Sequence, residues 1–203
     1  MLSRVVPRDL PTIAAFVSGV FAKHEPMCRV MNVTPAEIRR TFGWIIGACC
    51  DSGCSSVVRN GKDIYSVSLA LPYSTYESLP DPTVTYDTIE PIAKILSAMD
   101  EHRDFGRFEN PPDRSEVLYH FMCGTNPYFT NRGYGSSTIR ATLDYAKQKG
   151  SRVVVADATN FVSQYILENR FGYLPIHEEP YANHPHFRSI SCTKGVKRLV
   201  KHL

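Results

Sequence analysis

The sequence contains no hydrophobic run long enough to cross a membrane. Its longest apolar stretches, Trp44–Cys50 and Val153–Ala156, fall far short of the ~20 residues that span a bilayer. The segment Met1–Asp9 carries no apolar core of the secretory signal type, so we expect a cytoplasmic protein with no membrane partner. The 12 glycines and 14 prolines follow no collagen-like period, and no solenoid-length repeat is found, which argues against fibrous and repeat architectures.

An excess of one charge is missing as well. The chain has 23 lysines and arginines against 20 aspartates and glutamates, a net charge of +3, and the basic residues are dispersed. Proteins that bind nucleic acids concentrate basic residues on one face or stripe. We therefore expect no nucleic-acid partner, although a local basic pocket for an anionic ligand remains compatible with this composition.

Paired metal-binding cysteine motifs are also absent. The cluster Cys49-Cys50-x3-Cys54 has no second CxxC or HxxxH half, so no metal site is predicted. Without a signal peptide, we expect the cysteines to be reduced thiols. There are six of them: Cys28, Cys49, Cys50, Cys54, Cys123 and Cys192.

The 203 residues, 43% of them hydrophobic and 21% charged, suit one globular domain over 1–203. Apolar periodicity and turn signals predict the elements of the first half. They are a strand over 2–6, a helix ending at His24-Glu25-Pro26, a capped helix from Pro35 to about Asp51, strands Ser55–Arg59 and Asp63–Leu71 joined by Asn60-Gly61, a loop Pro72–Thr83, a helix Glu90–Glu101 and a loop Asp104–Arg114.

The second half predicts a strand, loop, helix and strand in succession. Both strands, Glu116–Cys123 and Arg152–Ala158, are apolar on both faces, as buried strands are. The intervening helix Ser136–Lys149 makes them a parallel βαβ pair. A helix Asn160–Phe171 and strands Gly172–Glu178 and Gly195–Leu203 complete the prediction of an α/β (α+β) fold, a mixed sheet with helices on both faces.

The loop from Thr125 to Gly135 lies where a strand passes into a helix. A helix amino terminus has about four unpaired N–H groups and attracts phosphate, and Gly133 and Gly135 allow close approach of the backbone. The loop has no lysine for a nucleoside-triphosphate loop, and Thr138 stands where a dinucleotide fingerprint needs its third glycine.

This loop resembles the pyrophosphate loop of the Gcn5-related N-acetyltransferases (GNAT), Gln/Arg-x-x-Gly-x-Gly/Ala. Two registers fit, Thr130-x-x-Gly133-x-Gly135 and Arg132-x-x-Gly135-x-Ser137, and the first also aligns Pro127 and Phe129 with the family's Pro-x-Tyr/Phe. The segment from Asn160 to Tyr173 resembles the family's closing signature, with one extra residue before Gly172. The resemblance implies a single-domain GNAT fold with a splayed parallel strand pair.

The segment His24-Glu25-Pro26-Met27 is similar to the Asp-Glu-Pro-Leu segment of arylalkylamine N-acetyltransferases. The resemblance implies that Glu25 is the general base, and that Ser163 and Thr159 occupy the positions of the acid or substrate-positioning serines. Tyr165 and Tyr181 are further candidates for the acid, and acetylation of Cys123 as an intermediate is the less favoured route.

By the same resemblance, acetyl-CoA is the cosubstrate, no metal is used, and a small amine is the acceptor. The residues expected to bind coenzyme A are Met122, Cys123, Gly124, Thr130, Asn131, Arg132, Gly133, Tyr134, Gly135, Ser136 and Asn160. A polyamine or protein amine is an alternative acceptor, and a non-catalytic acyl-CoA-binding protein is an alternative function. The sequence leaves the oligomeric state open.

The sequence allows two interpretations for a group of three tyrosines and two for a group of three histidines. Tyr73, Tyr76 and Tyr86 either form the wall of an acceptor pocket or cover the edge of the core. His177, His184 and His186 are expected near the substrate entrance rather than on a metal.

Overall fold

A computed structural model describes residues 1–79, 89–102, 105 and 111–203, and these residues form one seven-stranded sheet with helices on both faces. The strands are β1 (Leu2–Arg4), β2 (Ser56–Asn60), β3 (Asp63–Pro72), β4 (Val117–Thr125), β5 (Val153–Ala158), β6 (Leu174–Pro180) and β7 (Gly195–His202). The helices are α1 (Leu10–His24), α2 (Pro26–Val30), α3 (Pro35–Asp51), α4 (Tyr73–Ser78), α5 (Glu90–Asp100), α6 (Tyr134–Gln148) and α7 (Phe161–Tyr165). The predicted fold class is confirmed.

The sheet has the order β1-β2-β3-β4-β5-β7-β6, and β4–β5 is its parallel pair. These two strands pair over three positions, from Val117–Val153 to Tyr119–Val155. Beyond Tyr119, β4 runs on to Thr125 and β5 to Ala158 without pairing to each other. The predicted parallel pair is therefore confirmed, and it opens into a gap in the middle of the sheet.

Two apolar clusters cover the two faces of the sheet. The larger cluster contains buried residues of α1, α2, α3 and α5, including Ile13, Ile46 and Ile95. The smaller contains Ile139 of α6 and Leu167, which follows α7. Because the gap lies between these layers, its two openings are walled by different helices.

The prediction of a loop over Pro72–Thr83 is wrong for the residues that the structure describes. Tyr73–Ser78 form α4, while residues 80–88, which include Tyr86, lie outside the described residues. The helical turn puts Tyr73 and Tyr76 in contact with each other and with Tyr119 of β4. Burial of these rings outweighs the loop-like local composition, as tertiary packing often does.

The end of α1 is confirmed, but a short helix that was not predicted follows it, and the start of α6 differs from the prediction. Helix α1 ends at His24, but the chain immediately begins α2 at Pro26, with Glu25 as the residue between them. Pro26 stops α1 because the residue before a proline is disfavoured in helical conformation, and it then suits the first position of α2. Helix α6 begins at Tyr134, two residues before the predicted Ser136.

The last helix, predicted over Asn160–Phe171, changes its winding part-way. Helix α7 ends at Tyr165, and Ile166–Arg170 form a π-helical turn. A π turn holds one more residue than an α turn. The extra residue noted before Gly172 in the sequence is therefore accommodated by this turn.

Candidate active site

A cavity of about 420 Å³ runs through the gap between β4 and β5. Both helical layers contribute to its lining. We call one side the α5 half, lined by Phe42, Ile92, Leu96, Tyr119 and Phe121, and the other the α6 half, lined by Ile139, Ser163, Ile166 and Leu167. Met122, Cys123 and Gly124, predicted to offer main-chain groups, lie on the β4 edge between them.

The predicted phosphate loop forms an array of unpaired N–H donors at the start of α6. Among the described residues, none of the six backbone N–H groups from Asn131 to Ser136 donates to a protein acceptor. Asn131 and Gly133 both have positive φ, 60° and 79°. Consecutive amides turned in this way form a concave anion site, and the α6 dipole adds positive potential.

The two glycines of the loop occupy its two constrained positions. Gly133 caps α6 in the left-handed region, where a side chain adds strain. A Cβ on Gly135 would lie 3.0 Å from Thr125 Oγ1. Thr130 and Gly135 line the cavity, so the loop and the gap belong to one site. In the register Thr130-x-x-Gly133-x-Gly135, these two glycines stand at the two positions where the motif has Gly and Gly/Ala.

Glu25 is a buried carboxyl group on the wall of this cavity. It is 7% exposed, and its Oε2 accepts a 2.6 Å hydrogen bond from the Cys28 N–H, as a cap of α2. Its other oxygen, Oε1, is buried and has no hydrogen-bond partner among the described residues. Glu25 is therefore a buried carboxyl group and not a solvated residue at a helix end.

Burial raises the pKa of Glu25 above its ordinary value, and the hydrogen bond from the Cys28 N–H offsets part of that rise. An unpartnered carboxylate oxygen in a cavity is unfavourable unless a ligand pairs with it. A raised pKa moves a carboxylate toward the range in which it accepts protons efficiently near neutral pH. The geometry thus gives this carboxyl both an empty acceptor position and a suitable basicity.

The segment after β5 brings Thr159, Asn160 and Ser163 to the cavity. Asn160 caps α7 by accepting from the Ser163 N–H, so its side-chain oxygen is already engaged. The Ser163 hydroxyl donates back to the Asn160 carbonyl at 2.9 Å. Donation from Ser163 to a ligand therefore requires a rotation of its side chain.

Other candidates from the sequence are placed away from direct chemistry. The Tyr181 hydroxyl donates to the Thr159 carbonyl at 2.6 Å, and Tyr165 is half exposed on α7. Neither residue lines the cavity. Cys123 does line it, but burial raises its thiol pKa to about 11, so few thiolates are available for nucleophilic attack.

Sequence reasoning missed a buried charged group beside the α5 half, which we call the Arg198 network. Arg198 of β7 is fully buried and forms two 2.8 Å hydrogen bonds to Asp157 of β5. Its Nη2 also donates to Asp100 of α5 at 2.7 Å. Three tyrosines, Tyr73, Tyr76 and Tyr119, donate to these two carboxylates and complete the network.

The available signal was Asp157 itself, a charged residue that continues the fully buried run of β5. Charged residues in such strands are almost always paired. Arg198 gave no signal of its own, because it stands among the lysines of the carboxy-terminal segment.

The structure places five of the six tyrosines and histidines that had two interpretations, because Tyr86 lies outside the described residues. None of His177, His184 and the exposed His186 lines the cavity. Tyr73 and Tyr76 belong to the Arg198 network and do not line the cavity. His184 pairs with Glu179, and the His177 ring stacks on His102. Across residues 1–79, 89–102, 105 and 111–203, no group of three or more His, Cys, Asp or Glu side chains could hold a metal ion. Within the same ranges, no helix is long and apolar enough to span a bilayer.

Comparison with known proteins places this geometry in a fold. No protein-family model and no curated protein sequence matches the chain. Solved structures do match over its whole length. A Drosophila melanogaster polyamine N-acetyltransferase that forms N-acetylagmatine superimposes with a TM-score of 0.80 at 18% identity, covering 100% of this chain and 99% of that one. The fold is that of the Gcn5-related N-acetyltransferases.

Other proteins with this GNAT fold give the same result. Arylalkylamine N-acetyltransferase 2 from Aedes aegypti matches with a TM-score of 0.77 at 15% identity, covering 100% of this chain and 98% of that one. The carboxy-terminal condensation domain of Ebony, solved with β-alanyl-dopamine, matches at 0.78 and 14%, with the same coverage. At these identities the likeness establishes the fold, and the chemistry must be argued from the residues of this chain.

Proposed function

We propose that this chain is an acetyl-CoA-dependent N-acetyltransferase that moves an acetyl group directly to the primary amine of a small arylalkylamine. The observation that carries the proposal is the unpartnered, buried Glu25 Oε1 on the same cavity as the array of N–H groups from Asn131 to Ser136. A proton acceptor and a diphosphate site connected through one gap are what acyl transfer from coenzyme A requires.

The loop would hold the diphosphate, and the rest of the coenzyme would lie in the gap. An arm that starts at the loop and runs between β4 and β5 carries its thioester toward the closed end of the gap at Tyr119. Beyond Tyr119 the β5-facing edge of β4 has no ladder partner, and Met122, Cys123 and Gly124 line the cavity there. Their main-chain groups would hydrogen-bond the arm, and an N–H at this edge would stabilise charge on the thioester oxygen.

Glu25 would then act as the base. An amine reaches the site protonated, and the ionised Oε1 takes a proton from it. The neutral nitrogen attacks the thioester carbon, the C–N bond forms, and the C–S bond breaks. The nitrogen then loses its second proton, which replaces the proton that Ser163 gives to the thiolate, and Glu25 releases the first proton to solvent. Ser163 would protonate the departing thiolate after turning its hydroxyl away from Asn160, and Thr159 would orient Glu25. Direct attack is favoured over a Cys123 intermediate because that thiol is largely protonated.

The lining of the α5 half favours an aromatic acceptor. Phe42, Tyr119 and Phe121 present rings, while Ile92 and Leu96 present aliphatic side chains. Among the described lining residues, Glu25 and Asp157 carry carboxylates, and Asp157 is already paired with Arg198. A polyamine, whose second cation needs an anionic partner, is the second candidate acceptor because Asp157 is a second carboxylate on the wall.

The test is amine-dependent release of coenzyme A from acetyl-CoA, with mass identification of the product. The panel contains phenethylamine, tyramine, tryptamine, agmatine, spermidine and a lysine peptide. We expect N-acetylated arylalkylamines to form fastest. Fastest turnover of agmatine or spermidine would favour the polyamine candidate. Tight binding of acetyl-CoA without turnover of any amine would overturn the proposal in favour of a non-catalytic acyl-CoA-binding protein.

The phosphate loop makes a separate prediction. A Cβ at Gly133 meets no atom within 4 Å, so Gly133→Ala changes the chain there through backbone strain at φ 79°. That strain is worth about 1–2 kcal/mol, and relaxing it displaces the N–H groups, so we expect coenzyme A to bind roughly tenfold more weakly. The measurement is calorimetric titration with coenzyme A.

The matched control is Gly43→Ala. Gly43 also has open space around its missing Cβ, but it lies inside α3 with ordinary backbone angles. We expect its coenzyme A affinity to be unchanged. Equal affinities of the two variants would contradict the role of the loop.

A further inference from the structure

We propose that the Arg198 network sets the width of the α5 half and thereby selects the acceptor, with Asp100 as the positioning residue that holds helix α5. The inference rests on the proposed function, because it concerns which amines that site accepts. It goes beyond that function because it assigns the choice of acceptor to Asp100 and Arg198, two charged residues that do not line the cavity.

Helix α5 forms one wall of the α5 half. Ile92 and Leu96 of this helix line the cavity, as do the rings of Tyr119 and Phe121 on β4. Asp100 follows Leu96 by four residues, so it lies about 6 Å further along the same helix and on the same face. Whatever fixes Asp100 therefore fixes the position of Leu96.

The carboxy-terminal end of α5 is attached by several polar contacts. Asp100 Oδ1 accepts from Arg198 Nη2 at 2.7 Å, and its two oxygens accept from the hydroxyls of Tyr73 and Tyr76 at 3.1 Å each. The His102 carbonyl, just after the helix, also accepts from Arg198 at 3.4 Å. The helix end is thus held against β7 and α4 by directional bonds.

The β4 wall is attached to the same guanidinium. Tyr119 lines the cavity, and its hydroxyl donates to Asp157 Oδ2 at 2.9 Å. Asp157 also accepts two hydrogen bonds from Arg198, each of 2.8 Å. Arg198 therefore links two elements that both line the α5 half, helix α5 through Asp100 and strand β4 through Asp157 and Tyr119. We infer that the separation of these elements depends on it.

The charges of the network indicate which substitution loosens helix α5 without unfolding the protein. Arg198 carries one positive charge, and Asp100 and Asp157 carry two negative charges. Asp100→Asn removes one negative charge and weakens the hold on α5, while the doubly bonded Asp157 still pairs with the buried guanidinium. The amide oxygen of asparagine still accepts from a tyrosine hydroxyl. We therefore expect a folded protein whose helix α5 is less firmly placed.

The experiment compares Asp100→Asn with Glu90→Gln, a control on the same helix. Glu90 forms a solvent-exposed pair with Lys94, far from the network. For Asp100→Asn we expect the KM for phenethylamine to rise roughly tenfold, since a charged hydrogen bond is lost, and selectivity to shift toward the wider tryptamine. The KM for acetyl-CoA should stay unchanged, and Glu90→Gln should match the original protein in every measurement.

Two readouts separate this inference from its alternatives. The inference is overturned if Asp100→Asn leaves the amine KM and the selectivity unchanged. It is also overturned if the KM for the amine and the KM for acetyl-CoA rise equally, because general damage to the fold would have that effect. Hydrogen exchange at the α5 amides needs no turnover. We expect it to be faster in Asp100→Asn than in Glu90→Gln, and equal exchange would overturn the attachment of α5. Absence of turnover in the unmodified protein would overturn the proposed function instead.

Discussion

Replacing Glu25 by glutamine is expected to lower kcat for amine acetylation about 100-fold or more, the usual contribution of a positioned general base. Glutamine keeps the length of the side chain and an oxygen that can accept the Cys28 N–H, so the cap of α2 is retained. What is lost is the ability of Oε1 to accept a proton from the amine. The measurement is steady-state kinetics with the best amine of the panel.

The pH profile sharpens this prediction. The base must be ionised, and burial raises the pKa of Glu25, so kcat/KM of the original protein should rise with pH through a limb above the ordinary range of glutamate. That limb should be missing in Glu25→Gln. A glutamine variant with an unchanged rate and an unchanged limb would remove Glu25 from the mechanism.

Stability provides the control for the same variant. Because the folded-state pKa of Glu25 is raised, the folded protein binds more protons than the unfolded chain between the two pKa values. The free energy of unfolding therefore falls as pH rises through that window. Glutamine has no charge to desolvate, so Glu25→Gln should be at least as stable as the original at neutral pH. Loss of activity then cannot be attributed to unfolding.

Replacing Arg198 by methionine is expected to reduce the free energy of unfolding by roughly 3–5 kcal/mol, because removing one partner strands buried charges. Asp157, whose side chain is 2% exposed, would lose both of its guanidinium bonds. Domains of this kind are stable by only about 5–15 kcal/mol. The measurement is urea unfolding followed by circular dichroism.

Lys197→Met on the same strand is the matched control. Lys197 pairs with Glu168 where both side chains are about a quarter exposed, and such pairs contribute up to about 1 kcal/mol. Similar losses in the two variants would contradict the claim that the Arg198 network is a buried, mutually dependent group.

The βαβ unit was predictable because its signals are local. The runs of β4 and β5 are apolar on both faces, and Gly133 and Gly135 mark the helix entry, so strand, phosphate loop and helix follow from neighbouring residues. The splay of β4 from β5, implied by the family resemblance, is also present. The segment at Glu25 was located by its Pro26 neighbour. The burial of Glu25 could not be predicted, because the cavity wall that it shares includes Thr159, which is distant in the sequence.

The missed features depend on contacts between distant parts of the chain. Helix α4 forms in a loop-like sequence because Tyr73 and Tyr76 donate hydrogen bonds to Asp100 and the Tyr76 ring packs on Tyr119. The bonds of the Arg198 network join residues 24 to 98 positions apart. Neither its arginine nor its aspartates have a spacing that reveals the pairing. The residue that the sequence has in addition to the family signature before Gly172 indicated an irregular turn near this helix. Its position at Ile166–Arg170 could not be predicted.

A crystal structure of this chain with coenzyme A tests the proposed site most directly. We expect the diphosphate on the N–H groups from Asn131 to Ser136, the pantetheine arm between β4 and β5, and the thiol in the cavity that Glu25 lines. Coenzyme A bound elsewhere, or a gap between β4 and β5 that the arm does not enter, would contradict the proposed function.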